Sequence, residues 1–347
     1  MTTSGQRIRS YSKVLAINSS LFLTLLRVML IFITLMASLL ILKSHSESDG
    51  SYGYFIAINL MFCAYGLTGI ALIIPMFREL YDRQFADVEF SLPMSSSERI
   101  TAKLLMLLKN HLLPFVIAGT GLTVFSTLVF KDRLGFTAMF GAFTSSLAFL
   151  VFVDCITVFC VTFCGRIYEC IYSSVSYILM ITLLPRYLTK AILHFSGKQA
   201  LQGVVFGYDD ILMNYQGHLR NFYGIEYDLP PLYMLLTRTV FNIALSMLVM
   251  YAAIKLYKKR NGTQTGTAVI TTGFFISLAA GMACLSMVVG TVLCSLFVMV
   301  LSGFLGETIL VLVLCNGNKD RRKMEIAYAS FAAVFLLYFI IDVYLRY

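Results

Sequence analysis

The run GFTAMFGAFTSSLAFLVFVDCITVFCVTFC, residues 135–164, carries a single charged side chain, that of Asp154. A helix needs about 20 consecutive, mainly apolar residues to cross the hydrocarbon core of a bilayer, and this run is longer. Inside a bilayer every backbone polar group must be hydrogen-bonded within the protein, which a helix achieves by itself. The run therefore predicts a transmembrane helix and a protein that resides in the lipid bilayer.

The composition of the whole chain agrees with that class. Hydrophobic residues make up 59% of the 347 residues, and charged residues make up 13%. A soluble domain would carry roughly a quarter charged residues. The values exclude a soluble enzyme, a nucleic-acid-binding domain, a disordered regulator and a disulfide-stapled secreted module. We therefore expect the net charge of +9 to mark cytoplasmic loops and not a surface for nucleic acid.

Comparable apolar stretches recur along the chain and predict an all-α, polytopic, helical membrane protein with about nine transmembrane helices. Beyond residue 260, the stretch 268–315 has Glu307 as its only charge and is long enough for two spans or a re-entrant segment, and 326–341 predicts the last span. The six spans expected before that point are 21–42, 54–77, 112–130, 135–164, 167–195 and 234–254.

Basic residues in short loops mark the cytoplasmic side of a membrane protein. On this rule the N-terminus is cytoplasmic, and an odd number of spans puts the C-terminus on the extracytoplasmic side. Four groups of basic residues fall on one side: Arg7, Arg9 and Lys13; Arg78, Arg83, Arg99 and Lys103; Lys255, Lys258, Lys259 and Arg260; Lys319, Arg321, Arg322 and Lys323.

The span order divides the chain into two predicted regions. Residues 1–260 form a six-span core with a cytoplasmic loop at 78–109 and an outer segment at 196–232. Residues 261–347 form an additional C-terminal region of three spans.

Sequence motifs for catalysis or metal binding are absent from the chain. It contains neither the GxxxxGK[ST] string of a P-loop nor the HExxH string of a zinc hydrolase. Cys160 and Cys164 share a helix face, but no companion ligands stand near them in the sequence, so packing explains them better than a metal. We therefore predict no catalytic, cofactor-binding or metal-binding residues in this chain.

Charged residues inside the predicted spans form a first set of candidate functional residues. Arg27, Asp154 and Glu307 would lie at similar depths in their spans. Such groups are costly in a membrane and usually face protein, a partner charge or a water-filled cavity. Two interpretations remain open: a structural ion pair, in which Arg27 pairs with Asp154 or Glu307, or a pathway for substrate or protons.

The loop 78–109 is the longest charged cytoplasmic stretch predicted in the chain, and it begins RELYDRQFADVEFSLPMSSSERITAKLL (78–105). Pro93 should end the first element. Ser95 and Glu98 have the spacing of a capping box, in which each residue accepts a hydrogen bond from the backbone N–H of the other. The apolar residues that follow recur at helical spacing. The loop therefore predicts an amphipathic helix at the cytoplasmic interface that leads into the third span.

The string DRQFADVEFSLPMSSSERITAKLL, residues 82–105, resembles the coupling loop of permease subunits from bacterial ABC transporters of the second exporter class. That loop has an acidic and basic helix, a strand of the form SLPMS, and a polar helix. The resemblance implies that the loop docks on a separate ATP-binding cassette ATPase, which binds the ATP. The implied coupling residues are Asp82, Arg83, Glu89, Pro93, Glu98, Arg99 and Lys103.

The resemblance also implies a function and an assembly. The chain would be a permease without catalytic activity that exports a hydrophobic or amphipathic compound, such as a drug, a lipid or a peptide, across the bacterial cell membrane. Two permease subunits, identical or related, would form the pathway. The C-terminal region is similar to a larger, Gram-positive permease group, and the chain would be a version of it that lacks the extracytoplasmic domain.

Two alternatives belong to other functional classes. An ion-coupled secondary transporter would use Arg27, Asp154 and Glu307, although such proteins usually contain internal repeats and none is evident here. A polytopic membrane enzyme that acts on lipids would need clustered carboxylates near the interface. The candidates for that role are Glu79, Asp82, Asp87 and Glu89.

Overall fold

The computed structural model describes residues 4–18, 28–39, 50–129, 136–178, 232–260, 275–276, 278–283, 296–314, 324–333 and 335–336. Within these ranges every regular element is a helix, and none is a strand. The chain divides into two compact units. Unit 1 comprises Met1–Thr162 and Asp210–Thr265, and unit 2 comprises Phe163–Asp209 and Gly266–Tyr347. Each unit is described by itself.

Unit 1 contains the charged loop and the helices around it. In chain order the described helices up to residue 260 are α1 (Ser4–Asn18), α2 (Val28–Leu39), α3 (Gly50–Met76), α4 (Arg83–Ser91), α5 (Ser96–Leu107), α6 (Leu113–Val129), α7 (Phe136–Phe163), α8 (167–178, in unit 2) and α9 (Leu232–Lys259). A 3₁₀ turn, Arg78–Leu80, precedes α4, and a π-helical segment, Leu108–Leu112, joins α5 to α6 without a break.

Four helical stretches are long and apolar enough to cross a membrane: Ala57–Met76, Ser96–Val129, Met139–Phe163 and Thr239–Lys259. They coincide with the second, third, fourth and sixth predicted spans. The helical membrane-protein class is therefore supported. The other predicted spans lie partly or wholly outside the described residues, so the total of nine and the orientation of the termini stay predictions.

Tyr54 of α3 forms hydrogen bonds with α6 and α7. Its buried hydroxyl donates to the Met139 carbonyl on α7 at 2.9 Å and lies 3.0 Å from the Thr123 hydroxyl on α6. Farther along α6, Gly119 lacks a side chain, which lets the Phe143 ring of α7 lie directly against the α6 backbone. These contacts fix α3, α6 and α7 as one packed group.

The SLPMS segment, expected to be a strand, is a helix end followed by a turn. Ser91 is the last residue of α4, residues 92–94 form the turn, and Ser95 is the N-cap of α5. Pro93 has no backbone N–H to donate to a sheet, and no neighbouring strand is present in the described residues. We call α4, the turn 92–95 and α5 the loop hairpin.

Unit 2 has a smaller apolar core. The Tyr172 hydroxyl on α8 donates to the Gly306 carbonyl at 3.2 Å, which attaches α8 to the helix Leu296–Leu314. Gly303 on that helix lets the Phe331 ring approach its backbone closely. The buried apolar cluster consists of Phe275, Leu278, Ala279, Leu310, Val311 and Ala327.

Candidate functional site

The first helix of the loop hairpin begins at a side-chain cap. The Asp82 carboxylate accepts a hydrogen bond from the Gln84 backbone N–H at 3.1 Å, which satisfies one of the unpaired donors at the helix start. The same carboxylate pairs with Arg78 at 3.0 Å. The Arg78 guanidinium also lies 3.9 Å from the centre of the Phe85 ring. Asp82 therefore fixes the entry of the chain into the hairpin.

The predicted capping box at the start of α5 is confirmed. The Glu98 backbone N–H donates to the Ser95 hydroxyl at 3.2 Å, and the Ser95 backbone N–H donates to the Glu98 carboxylate at 2.9 Å. Arg7 of α1 lies 3.6 Å from the same carboxylate and donates to the Pro93 carbonyl at 3.0 Å. The turn of the hairpin is thus held from both sides, by its own cap and by the N-terminal helix.

Replacing the cap should weaken the hairpin. We expect Ser95→Ala to lower the free energy of unfolding by about 1 kcal/mol, because the Glu98 backbone N–H loses its side-chain acceptor. Thermal unfolding of the purified protein in detergent measures the change. Ser97→Ala, an exposed serine two residues later, should stay within about 0.5 kcal/mol of wild type. Equal losses in the two variants would contradict the capping role.

The second helix of the loop hairpin, α5, carries a buried lysine. Lys103 of α5 is fully buried, and its ammonium group is 2.6 Å from the Glu79 carboxylate and 3.0 Å from the Glu89 carboxylate. It also donates to the Met76 carbonyl at 2.7 Å, at the end of α3. An ammonium group has three N–H donors, and three oxygen acceptors lie within reach. The charge of Lys103 is therefore compensated inside the protein.

Two tyrosine hydroxyls donate hydrogen bonds to the carboxylates that bind Lys103. The Tyr257 hydroxyl of α9 donates to Glu79 at 3.2 Å, and the Tyr11 hydroxyl of α1 donates to Glu89. The Phe77 ring packs edge-on against Tyr257, and its centre lies 5.0 Å from the Lys103 ammonium. Each carboxylate is thus bound by the lysine and by one phenol.

Arg99 attaches the two arms of the hairpin to each other. Its guanidinium donates to the Glu89 backbone carbonyl at 3.2 Å and to the Ser96 hydroxyl at 3.2 Å, and it lies over the Phe90 ring. Arg99 is itself buried, so the network contains two cations and two carboxylates. We call Lys103, Glu79, Glu89, Arg99, Tyr11 and Tyr257 the hairpin network.

The hairpin network connects the loop to the helices around it. Its members come from α1, the 3₁₀ turn after α3, both hairpin helices and α9. Removing one partner from a buried ion pair typically costs about 3–5 kcal/mol, because the other charge stays buried without compensation. Moving the hairpin independently of α3 and α9 would therefore require breaking buried contacts of the network.

The predicted coupling residues fall into three groups by position. Arg83 and Pro93 are exposed on the hairpin. Asp82 and Glu98 are helix caps. The remaining three, Glu89, Arg99 and Lys103, belong to the hairpin network.

Sequence reasoning missed three members of the network. Tyr11 and Tyr257 lie far from the loop in the chain, and no motif marks them. Glu79 was considered only as a catalytic carboxylate of a lipid enzyme. In the structure Glu79 and Glu89 both bind Lys103, and Asp82 caps α4.

Asp154 lies deep in unit 1 and contacts a histidine that sequence analysis did not single out. The Nε2 atom of His111 is 3.4 Å from Oδ1 of Asp154, and both residues are buried. Neither side chain has a hydrogen-bond partner in the described part of the chain, so the two groups are close to each other without hydrogen-bond alignment. His111 belongs to the π-helical segment, a rare element that is frequent at functional sites.

Gly69 of α3 makes room for this pair. A Cβ atom at position 69 would lie 2.5 Å from Oδ1 of Asp154 and 2.8 Å from Nε2 of His111. Side chains at these distances would overlap, so only glycine fits without displacing them. The contact thus brings together α3, the π-helical segment and α7.

Two further charges are predicted inside spans, those of Glu307 and Arg27. Glu307 is fully buried in unit 2, and neither of its carboxylate oxygens has a hydrogen-bond partner among the described residues. Arg27 lies outside the described residues, so its pairing with Asp154 or Glu307 stays a prediction. Among the residues that the structure describes, no group of three or more His, Cys, Asp or Glu side chains could hold a metal ion.

No protein-family model, curated protein or solved structure matches this chain. The resemblance to ABC permeases therefore rests on residues 82–105 and on the order of the predicted spans.

Proposed function

We propose that the chain is the transmembrane permease subunit of an ATP-driven exporter in a bacterial cell membrane. Its loop hairpin would dock on a separate ATP-binding cassette ATPase. The observation that carries this proposal is the hairpin network, in which buried Lys103 ties the hairpin to the end of α3. A partner that docks on the hairpin would therefore act on α3 and α9 through these buried contacts.

The network suggests how ATP binding would reach the membrane. Nucleotide can shift a conformational equilibrium only through an affinity difference between two states, so the ATPase must contact a part that moves with the spans. Four exposed residues of α4 could receive this contact: Arg83, Gln84, Asp87 and Ser91. Arg99 and Lys103 would instead transmit the movement inward.

The helices also supply apolar surface for substrate, lipid or a second subunit. Several large apolar side chains on them are more than half exposed in the single chain, and they are Leu67, Ile117, Leu128, Val240, Met247 and Leu248. In a bilayer such surface faces lipid or protein. It is compatible with two permease subunits, identical or related, and with export of a hydrophobic or amphipathic compound such as a drug, a lipid or a peptide.

A second candidate function is ion-coupled secondary transport. It is favoured by the buried Asp154–His111 contact and by the buried carboxylate of Glu307. Ionisable residues within membrane spans are common in proton pathways. In this case ATP would not be required, and the hairpin network would only stabilise the protein.

Transport in inside-out membrane vesicles separates the two functions. The probe is a fluorescent amphipathic dye that cells export when they overproduce the chain with its ATPase. We expect dye uptake that requires ATP and that persists when an uncoupler collapses the proton gradient. Vesicles that contain the chain without any ATPase should take up no dye. Uptake in those vesicles that follows the proton gradient would contradict the proposal and support the second candidate.

A further inference from the structure

A cavity of about 790 Å³ lies between α1, the end of α3 and the loop hairpin. This volume falls within the range of roughly 300–1,000 Å³ that is typical of sites for small molecules. Its walls are mainly apolar and include Val14, Leu72, Pro75, Phe85, Val88 and Met106. The cavity therefore has room and apolar surface for the hydrocarbon part of a ligand.

The accessible charge in this cavity is positive. The side chains of Arg7 and Arg78 line it and are 40% and 53% exposed. The carboxylates of Glu79 and Glu89 also line it, but they are only 2% and 13% exposed and are both bound to Lys103. A ligand that enters the cavity thus meets two guanidinium groups and two largely buried carboxylates that Lys103 already binds. Charge complementarity favours an anionic group at the mouth.

Both arginines keep donors for such a group. Arg7 contacts Glu98 at 3.6 Å and Arg78 contacts Asp82 at 3.0 Å, and surface ion pairs of this kind contribute little energy. A guanidinium has five N–H donors in total. The Nε–H of Arg7 is buried and has no acceptor in the described part of the chain. An incoming phosphate could therefore be bound without the loss of a strong contact.

The surroundings of the cavity fit a membrane ligand. Helix α1 carries Arg7, Arg9 and Lys13 and contains no acidic residue. Basic segments at the cytoplasmic surface are attracted to the anionic lipids of that leaflet. Exposed Val14 and Val88 border the cavity and offer contact to acyl chains.

We propose that this cavity binds an anionic phospholipid of the cytoplasmic leaflet. Its phosphate contacts Arg7 and Arg78, and one acyl chain lies along Val14, Phe85 and Val88. The bound lipid would connect α1 to the hairpin. The inference requires that the protein lies in a membrane, but it does not depend on coupling to an ATPase.

Native mass spectrometry of the full chain tests the proposal. The protein is released from nanodiscs of phosphatidylcholine and phosphatidylglycerol, and the retained phosphatidylglycerol is counted. Wild type should retain one such lipid, and the Arg7→Gln, Arg78→Gln double variant should retain about ten-fold less. The matched control is Arg9→Gln with Lys13→Gln, which removes the same charge from exposed α1 positions outside the cavity and should retain the lipid.

A second variant distinguishes the loss of the lipid site from a folding defect. Val88→Glu places an acid at the exposed edge of the cavity and keeps both arginines, and it should also lose the lipid while its melting temperature stays close to that of wild type. Equal losses in the cavity and control variants would overturn the proposal, since they would indicate general surface attraction. Displacement of the lipid by inorganic phosphate would overturn it as well.

Discussion

Lys103→Met should lower the free energy of unfolding of unit 1 by about 3–5 kcal/mol. The methionine fills a similar volume but removes the only ammonium group that contacts Glu79 and Glu89 among the described residues. Those two carboxylates would remain buried next to each other, and among the described residues only the two tyrosine hydroxyls would donate to them. Denaturant titration in detergent micelles, followed by circular dichroism, measures the loss.

Two further variants make this prediction specific. Lys109→Met removes the same charge from an exposed position a few residues along the chain and should change the free energy of unfolding by less than about 0.5 kcal/mol. Adding Glu79→Gln to Lys103→Met should restore part of the loss, because one of the uncompensated charges is gone. If Lys103→Met and Lys109→Met are equally stable, the hairpin network does not hold the loop.

Two glycines three residues apart on α3 should respond to alanine with opposite signs. Gly69→Ala should destabilise the protein by about 1–3 kcal/mol, as is typical when a methyl group is forced into a packed interior. The new Cβ would lie 2.5 Å from the Asp154 carboxylate and 2.8 Å from His111, and moving either side chain breaks their contact.

Gly66→Ala is the matched control, because nothing lies within 4 Å of a Cβ at that position. Alanine is the better helix former by about 1 kcal/mol, so this variant should be neutral or more stable. Melting temperatures of both variants in the same detergent provide the comparison. Stabilisation by both substitutions would show that Asp154 and His111 do not meet beside Gly69.

Four of the spans and the capping box at the start of α5 were predictable because their determinants are local. An apolar run of sufficient length specifies a span, and Ser95 and Glu98 are three residues apart, so their capping box follows from spacing alone. The expected SLPMS strand was wrong for a related reason: the segment has no partner strand in the described part of the chain, and Pro93 and Ser95 favour a turn and a cap.

The hairpin network was not predictable, because its partners are distant in the chain. Tyr257 and Glu79 are 178 residues apart, and only the fold brings them together. The sequence identifies Lys103 as a charged residue of the loop, but it does not show that its side chain faces the protein interior. His111 was missed for a comparable reason, since the π-helical segment that carries it has no recognisable sequence signal.

The most direct test of ATPase coupling uses an exposed residue of α4 and leaves the network intact. Arg99 and Lys103 are unsuitable because their loss would disturb the hairpin itself.

Tagged chain is purified from its native membranes, and the ATPase activity that accompanies it is measured. Asp87→Arg should reduce this activity by about ten-fold without a change in melting temperature, since a reversed charge in a docking surface is strongly unfavourable. The control Lys255→Glu, an exposed reversal on α9, should retain it. Full ATPase activity with Asp87→Arg, or none with the wild-type chain, would contradict the account.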